Sequence, residues 1–397
     1  NGADAVYIGL EESNMRANAG NFSVDDIKQA SSMCREYGAR LYVCANTMMK
    51  DDDIERLAGQ LPLIKENGAD GIILCDIALI DMVLENGLEA HMSVQENTSN
   101  SYALKALEKL GVKRAILSRE LSLNEIKKII SKLKSEGSSI ETEVFIHGAM
   151  CISYSGRCLL SAFMTGRSGN MGDCTHPCRW KYSVVEESRP GEYMPVMETE
   201  RGTFLFNSKD LCMICHIPEL IDAGIDSLKV EGRMKSALYV ATVGRTYRMA
   251  IDDYLSDPQR YRDRLEFYQE EISKCTFREY TTGFFFGKPD AGAQIYDAST
   301  YVKDWIFLGE ADAEKTCTDP QGHTYYMLEQ KNKFSIGETV EIMKPDGRNV
   351  QAVVRDMLDE DLHPISSCPH PKQHFYVDVG EPLDTYDMLR IHRKETS

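Results

Sequence analysis

The chain has 397 residues, 42% of them hydrophobic and 27% charged, which reads as an ordinary soluble globular protein of two or three domains. A net charge of −17 excludes a protein coated with nucleic acid along its length, though not a local contact. The longest apolar run, 71–84, is broken by Asp76 and Asp81, so it predicts a strand entering a helix and not a membrane span.

The chain opens Asn-Gly-Ala-Asp inside a repeat and without an initiator Met. Further chain upstream is therefore expected, and a targeting signal there would be invisible. The repeat is GADAVYIG (2–9), echoed by GADGIILC (68–75), GVKRAILS (111–118) and GIDSLKVE (224–231), and more weakly by GARLYVCA (38–45) and GLEAHMSV (87–94). In each, a Gly closes a helix, a short turn follows and a β-rich run begins. Helical patterns fill the spaces over 24–37, 52–67, 77–86, 100–110 and 123–136. This alternation predicts stacked βα units on a parallel sheet.

Seven strands are expected, near Ala5, Leu41, Ile72, His91, Ala115, Phe145 and Leu228. A strand before residue 1, or one at 203–206, would make eight. No Gly-rich dinucleotide fingerprint follows an early strand, which favours an α/β fold of the TIM-like (β/α)8 barrel type over an open doubly wound sheet. A barrel carries its site at the C-terminal ends of its strands. Glu11, Asn46, Asp76, Gln95, Glu96, Ser118, Arg119, His147, Glu231 and Arg233 supply polar groups there, each equally able to be a cap or a loop hydrogen bond.

The last unit is interrupted between Cys151 and Gly224 by far more chain than a βα loop needs, and such insertions are usually functional. Segments 182–187 and 203–207 could pair within it as a hairpin. Helices follow over 236–255 and 258–274, and past Thr281 strand patterns dominate, at 305–309, 324–329, 338–343, 350–355, 374–379 and 386–392. The KPDGR turn at 344–348 marks a hairpin. The expected domains are thus a barrel over 1–280 with a cysteine-rich insertion at 148–223, a linker at 281–294 and a small antiparallel β-barrel domain at 295–397.

Of the twelve cysteines, Cys34, Cys44, Cys75 and Cys275 sit singly in apolar patterns, as buried thiols do. Five others gather where EVFIHGAMCISYSGRCLLS (143–161) leaves its strand: Cys151, Cys158, Cys174, Cys178 and Cys212. The spacing points to a reduced, cytoplasmic protein holding a soft metal or an iron–sulfur cluster, with structural zinc and free thiols as the other readings. From 147 to 181, four basic residues, Arg157, Arg167, Arg179 and Lys181, face one acidic residue, Asp173. The positive charge of Arg157 and Arg179 beside cysteines would offset that of a cluster and its thiolates. Zinc-protease, serine-hydrolase and phosphate-loop motifs are absent. Cys151 and His147 could be drawn as a nucleophile pair, but no orienting Asn or Asp is evident.

The string at 143–161, with CTHPCRWKY, RPGEYMPV, NSKDLC and SLKVEGRMKS, resembles the collagenase-like peptidase family U32, and within it the bacterial tRNA-hydroxylating branch. The likeness runs from Gly2 to about Pro289, with a C-terminal β domain typical of longer members. One story for the family is proteolysis. The other, better supported, is iron–sulfur-dependent hydroxylation without molecular oxygen, which in the tRNA branch modifies the wobble uridine with prephenate as hydroxyl donor. That resemblance implies a 4Fe-4S cluster on Cys151, Cys158, Cys174 and a fourth ligand, either Cys178 or Cys212. Cys212 is the favoured one, because the insertion returns to the barrel there. A dicarboxylate donor needs cations, for which Arg157, Arg179, Lys209 and Arg233 are candidates. Tyr154, Trp180 and Asn207 are candidates to hold the base. His147, Asp210 and Glu231 are the candidate proton carriers. The partners expected are tRNA and a small dicarboxylate, with no membrane. The alternatives are a peptidase acting through a thiol or metal, and a zinc-holding RNA-binding protein.

Overall fold

The computed structural model describes residues 1–11, 20–151, 153–180, 183–184, 194–195, 207–287, 294–295 and 302–393. Two compact units emerge: Ala3–Met234 with Arg278–Thr300, and Lys235–Phe277 with Tyr301–Ser397 and Asn1–Gly2.

The first unit is built from βα repeats. Strands β1 (Ala5–Gly9), β2 (Arg40–Ala45), β3 (Gly71–Leu74), β4 (Glu89–Met92), β5 (Arg114–Ile116) and β6 (Glu141–Ala149) alternate with helices α1 (Asp26–Glu36), α2 (Asp51–Glu66), α3 (Leu79–Glu85), α4 (Ser101–Lys109) and α5 (Leu123–Ser135). The Gly that opens each sequence echo does what the pattern requires: Gly68, at φ 96°, turns the chain out of α2 in a region L residues avoid. Helix α5 shows why these helices form. Ser122 and Glu125 close a capping box at its start, and Ile126, Ile129, Ile130 and Leu133 bury one face at helical spacing. The strands pair in parallel and in sequence order, β1 to β6, with β3 wholly buried and β1, at the edge, exposing Val6. The strands expected near Ala5, Leu41, Ile72, His91, Ala115 and Phe145 are all present.

Beyond β6 the chain enters the cysteine-rich segment, with the short helix α6 (Leu160–Thr165). Within the insertion, β7 (Ser183–Val184) pairs with β8 (Met194–Pro195), and β9 (Asn207–Ser208) pairs with β13 (Gln294–Ile295). The expected 182–187/203–207 hairpin and the candidate strand 203–206 lie mostly outside the described residues. Strand β10 (Asp210–Cys212) returns antiparallel to the end of β6, helix α7 (Ile217–Asp222) follows, and β11 (Ser227–Val230) completes the parallel set beside β6. Strand β12 (Tyr280–Thr281) adds to β10.

A ring closed by backbone ladders is not what the described residues form: β1 pairs only with β2, and β11 only with β6. Closure would need an eighth strand between them, and no described residue supplies it. Side chains meet instead, with the Tyr7 hydroxyl donating to Val230 O at 3.3 Å and Lys229 Nζ lying 4.3 Å from the Tyr7 ring centre.

The second unit combines helices α8 (Ala237–Ser256), α9 (Pro258–Asp263) and α10 (Leu265–Ser273) with a seven-stranded antiparallel sheet. Its strands are β14 (Trp305–Thr318), β15 (Thr324–Gln330), β16 (Thr339–Met343), β17 (Asn349–Val353), β18 (Asp356–Leu358), β19 (His374–Asp378) and β20 (Met388–His392). Their spatial order is β17-β16-β20-β14-β15-β19-β18. The two edge strands are consecutive in sequence, and the link between them bonds both ways, Val354 N to Glu338 O at 3.0 Å and Arg355 N to Asp378 O at 2.8 Å. The sheet therefore curls on itself around a core that includes Leu328, Phe334, Phe375 and Leu389.

The boundary drawn at 280 from sequence is corrected by this packing. Residues 235–277 go with the C-terminal sheet, because Arg245 of α8 and Glu271 of α10 are buried in one charge network with Glu341 and Arg390 of the sheet. Residues 281–287 are not a loose linker either: Phe285 is buried and its carbonyl accepts from Leu123 N at 2.9 Å. No described helix is long and apolar enough to cross a membrane.

Candidate functional site

At the C-terminal ends of the parallel strands lies a cleft of about 160 Å³. Its wall begins where β6 stops. Gly148 sits at φ 113°, and a Cβ there would stand 2.6 Å from the carbonyl oxygen of Glu231. Only glycine lets β6 pass so close to the end of β11, where Glu231 N donates to His147 O at 2.9 Å. The chain then turns into the loop that carries Cys151. Arg119 braces that turn, donating to Ala149 O at 2.9 Å while lying 3.9 Å over the Phe145 ring. Asn97 holds the far side of the loop through Ser155 O at 2.6 Å.

Two further turns bring the remaining thiols round. Ser161, Thr165 and Thr175 share hydrogen bonds of 2.8–3.1 Å that tie helix α6 to the strand of chain carrying Cys174. Cys174 Sγ accepts from His176 N at 3.4 Å, and the His176 ring nitrogen Nδ1 stands 3.9 Å away. His176 is left-handed, φ 54°, and Pro177 then opens a short 3-10 turn over 177–179. That reversal carries Cys178 to the same cleft, so Cys151, Cys158, Cys174 and Cys178 all line it.

The floor is ionic. Lys229 lines the cleft and bonds Glu143 at 2.7 Å, where Ser227 also donates at 2.7 Å and Arg114 stands at 3.4 Å. Burial alone would raise the Glu143 carboxyl, but Lys229, Ser227 and Arg114 outweigh it and hold the pKa at about 2. Glu231 accepts from the Tyr7 hydroxyl at 3.3 Å and from Arg233 N at 3.4 Å. The Arg233 guanidinium crosses Gly9 to reach Asn21, and a Cβ on Gly9 would meet it at 2.2 Å. Cys44, also on the cleft, is pushed up to about 11 by burial despite Lys229 and Arg233 nearby.

Several sequence candidates fall into place here: Tyr154, Glu231 and Arg233 line the cleft, as do Asn46, Gln95 and Arg119 from the strand ends. Cys212, favoured for the fourth ligand, is not among the lining residues. It sits on β10 opposite His147, a position set by the antiparallel pairing of β10 with β6. His147 itself is buried with its ring 5.4 Å from that of Tyr280, off the cleft. Asp210 is wholly buried, away from the cleft lining, and its carboxylate is taken by Arg278 at 2.6 and 3.1 Å. Lys209 pairs with Glu279 at 2.8 Å, Arg157 is exposed with its guanidinium on Gly156 O at 3.2 Å, and Trp180 is exposed; none lines the cleft. The side chains of Arg179 and Asn207 lie outside the described residues. Sequence reasoning missed Tyr7 and Lys229, which look like core positions of strands, and His176. For His176, its place between two cysteines in CTHPC was a usable signal.

Cys151, Cys158, Cys174 and Cys178 around one cleft are a donor set that a soft metal or an iron–sulfur cluster would fit. A cluster spreads its ligand sulfurs across its own width, and four thiols around one cleft match that need. All twelve cysteines are free of disulfides.

These features define an α/β protein with a thiol-lined, ionic-floored cleft at the C-terminal ends of a parallel sheet. The chain belongs to peptidase family U32, whose family model matches residues 1–295, and the family's C-terminal domain matches 303–390. Among its relatives, a tRNA hydroxylation protein of Bacillus subtilis is 34% identical over 391 residues, 98% of this chain and 90% of that one. An uncharacterized protease of Methanocaldococcus jannaschii is 43% identical over 285 residues, 72% of this chain and 68% of that one. The rRNA 5-hydroxycytidine synthase of Escherichia coli is 29% identical over 379 residues, 93% of this chain and 55% of that one.

Proposed function

We propose that this chain is an RNA-modifying enzyme that hydroxylates the wobble uridine of tRNA, with prephenate as hydroxyl donor and a 4Fe-4S cluster on Cys151, Cys158, Cys174 and Cys178. The observation that carries the reading is the meeting of those four thiols with Glu231, Arg233 and Lys229 on one cleft. The near full-length likeness to a tRNA hydroxylation protein supports the substrate. When bound, the cluster would supply the electron-transfer chemistry that oxygen-independent hydroxylation needs.

The chain's own residues have separable tasks. Arg233, led across the sheet by Gly9, offers a planar guanidinium to a carboxylate of the donor. Lys229 adds a second positive charge, held in place by Glu143. Tyr154, 56% exposed at the cleft edge, offers its ring to a pyrimidine. Replacing a ring hydrogen by a hydroxyl delivered as hydroxide releases one proton and two electrons; the electrons would leave through the cluster to an external electron acceptor, and Glu231, oriented by Tyr7, is the cleft carboxylate positioned to accept the proton. The amide of His176 donates to Cys174 Sγ and fixes that sulfur at the cleft.

The test is anaerobic purification with iron and sulfide assays, followed by nucleoside mass spectrometry of undermodified tRNA treated with and without prephenate. Hydroxyuridine that depends on both iron and prephenate is the expected result. Protein with full iron that leaves tRNA unmodified, yet cleaves gelatin in a manner abolished by Cys151→Ala, would replace this reading with the peptidase one.

A further inference from the structure

Outside the cleft, the most exposed large apolar side chain in the described residues is Phe163, at 84%. It lies on helix α6, whose residues Leu160 and Ser161 line the cleft. Leu159, 73% exposed, precedes it, and α6 packs against the 177–179 turn that leads to Trp180, itself 47% exposed. Burying an aromatic ring is favourable by a few kcal/mol, so folding alone gives no reason to leave two in water beside a cleft. Such rings on a rim mark a surface that something covers.

The charge around them identifies the covering partner. Residues 147–181 carry four basic groups against one acidic group in sequence, in a chain whose net charge is −17; Arg167 is tied to that acid, Asp173, at 2.8 Å and Arg157 is exposed, while the side chains of Arg179 and Lys181 lie outside the described residues. A local cationic island with exposed aromatic faces is what stacks unpaired bases while attracting their phosphates.

We infer that Phe163 and Trp180 form a stacking platform on the cleft rim for the unpaired nucleotides flanking the base that enters the cleft, so that the enzyme takes its RNA as a single-stranded loop and not as a duplex. The inference rests on the RNA reading above, and it assigns to Phe163 a role that lies outside the cluster and the cleft.

The chain's two tryptophans allow a direct test. Trp305 belongs to the C-terminal unit, its ring under Lys274 and Arg390, so Trp305→Phe leaves Trp180 as sole reporter. A synthetic RNA hairpin with a uridine-containing loop should quench that emission, and the same sequence annealed into a full duplex should not. In the otherwise unaltered chain, Phe163→Ala and Trp180→Ala should each weaken hairpin binding roughly 10-fold, as loss of one base stack does. Phe163→Tyr should restore it and Phe163→Leu should not, because leucine keeps bulk without a π face.

Iron is measured on the same samples. Loss of RNA affinity in Phe163→Ala with wild-type iron content supports the platform. The same loss in protein that never held iron supports the platform while removing the cluster. Full affinity in Phe163→Leu, or equal binding of duplex and hairpin, overturns the platform and leaves the cluster standing. A wild-type chain that binds no RNA overturns both the platform and the RNA reading.

Discussion

Both units of the chain carry charge deep inside, and they use it in opposite ways. In the C-terminal unit, Arg245, Glu271, Lys274, Glu341 and Arg390 are all buried and bond one another, with Arg390 to Glu271 at 2.9 Å, Lys274 to Glu271 at 2.8 Å and Lys274 to Glu341 at 3.2 Å. Those five side chains are closed to solvent, and the network reaches it only at its edge, where Lys274 pairs with exposed Glu270 at 3.2 Å. In the parallel-sheet unit, Glu143 is equally buried, but its partner Lys229 lines a cleft, as do Glu231 and Arg233. Surface charge diverges too. Residues 301–397 hold 11 Lys and Arg against 18 Asp and Glu, while the cysteine-rich segment is basic. A buried ion whose partners are complete and covered serves the fold; one whose partner faces a cleft is available for chemistry.

The sharpest way to break the comparison is Glu271→Ala. It leaves Arg245 without its carboxylate and Glu341 alone to serve both Arg390 and Lys274, and should cost about 3–5 kcal/mol in urea unfolding. If it costs less than 1 kcal/mol, the network is not structural.

Acid should then find both units. Glu143 and Glu271 are each held at about 2, against an ordinary 4.5, although burial works the other way in both. For a depressed carboxyl, the stabilisation is fully present above about 4.5 and is lost as pH falls towards about 2. Each group should account for about 3 kcal/mol across that window. Glu143→Gln should flatten the acid limb of the stability curve, and an unchanged limb would refute the assignment.

Gly148→Ala is smaller in energy and more local. Strain at φ 113° should cost about 1–3 kcal/mol. The new Cβ would also push on Glu231, so hydroxylation should fall further than the melting temperature suggests. Normal activity would mean that the close approach is not needed.

Much of this was legible from sequence wherever the cause was local. The echoes beginning at Gly2, Gly68, Gly111 and Gly224 gave the parallel strands, since a left-handed Gly and a β-branched run are neighbours in the chain. The place of Cys178 on the cleft is local as well, set by a left-handed His176 followed by Pro177, a turn that the spacing of the cysteines alone does not reveal. The domain boundary was hidden for a different reason. Arg245, Glu271 and Arg390 find one another across long stretches of sequence, and no window shorter than the whole unit contains them. Strand β18 (Asp356–Leu358) is three residues long, too short for any period. Tyr7 and Lys229 alternate like core residues, and only the fold shows that their side of the sheet opens on a cleft.

The smallest expected effect concerns thiol reactivity. Burial pushes Cys44 to about 11 and Cys75 to about 12, so at pH 8 both remain protonated and slow to alkylate. Iodoacetamide on the iron-free protein should label exposed Cys151 well before either of them, as read by peptide mass spectrometry. Early labelling of Cys44 would show the cleft floor to be open.

The central claim is that the four cleft cysteines, and not Cys212, bind iron. Single Ser substitutions at Cys151, Cys158, Cys174, Cys178 and Cys212, purified anaerobically and assayed for iron and sulfide, test it directly. The account predicts loss at the first four and wild-type content in Cys212→Ser. Iron retained in Cys178→Ser and lost in Cys212→Ser would contradict it.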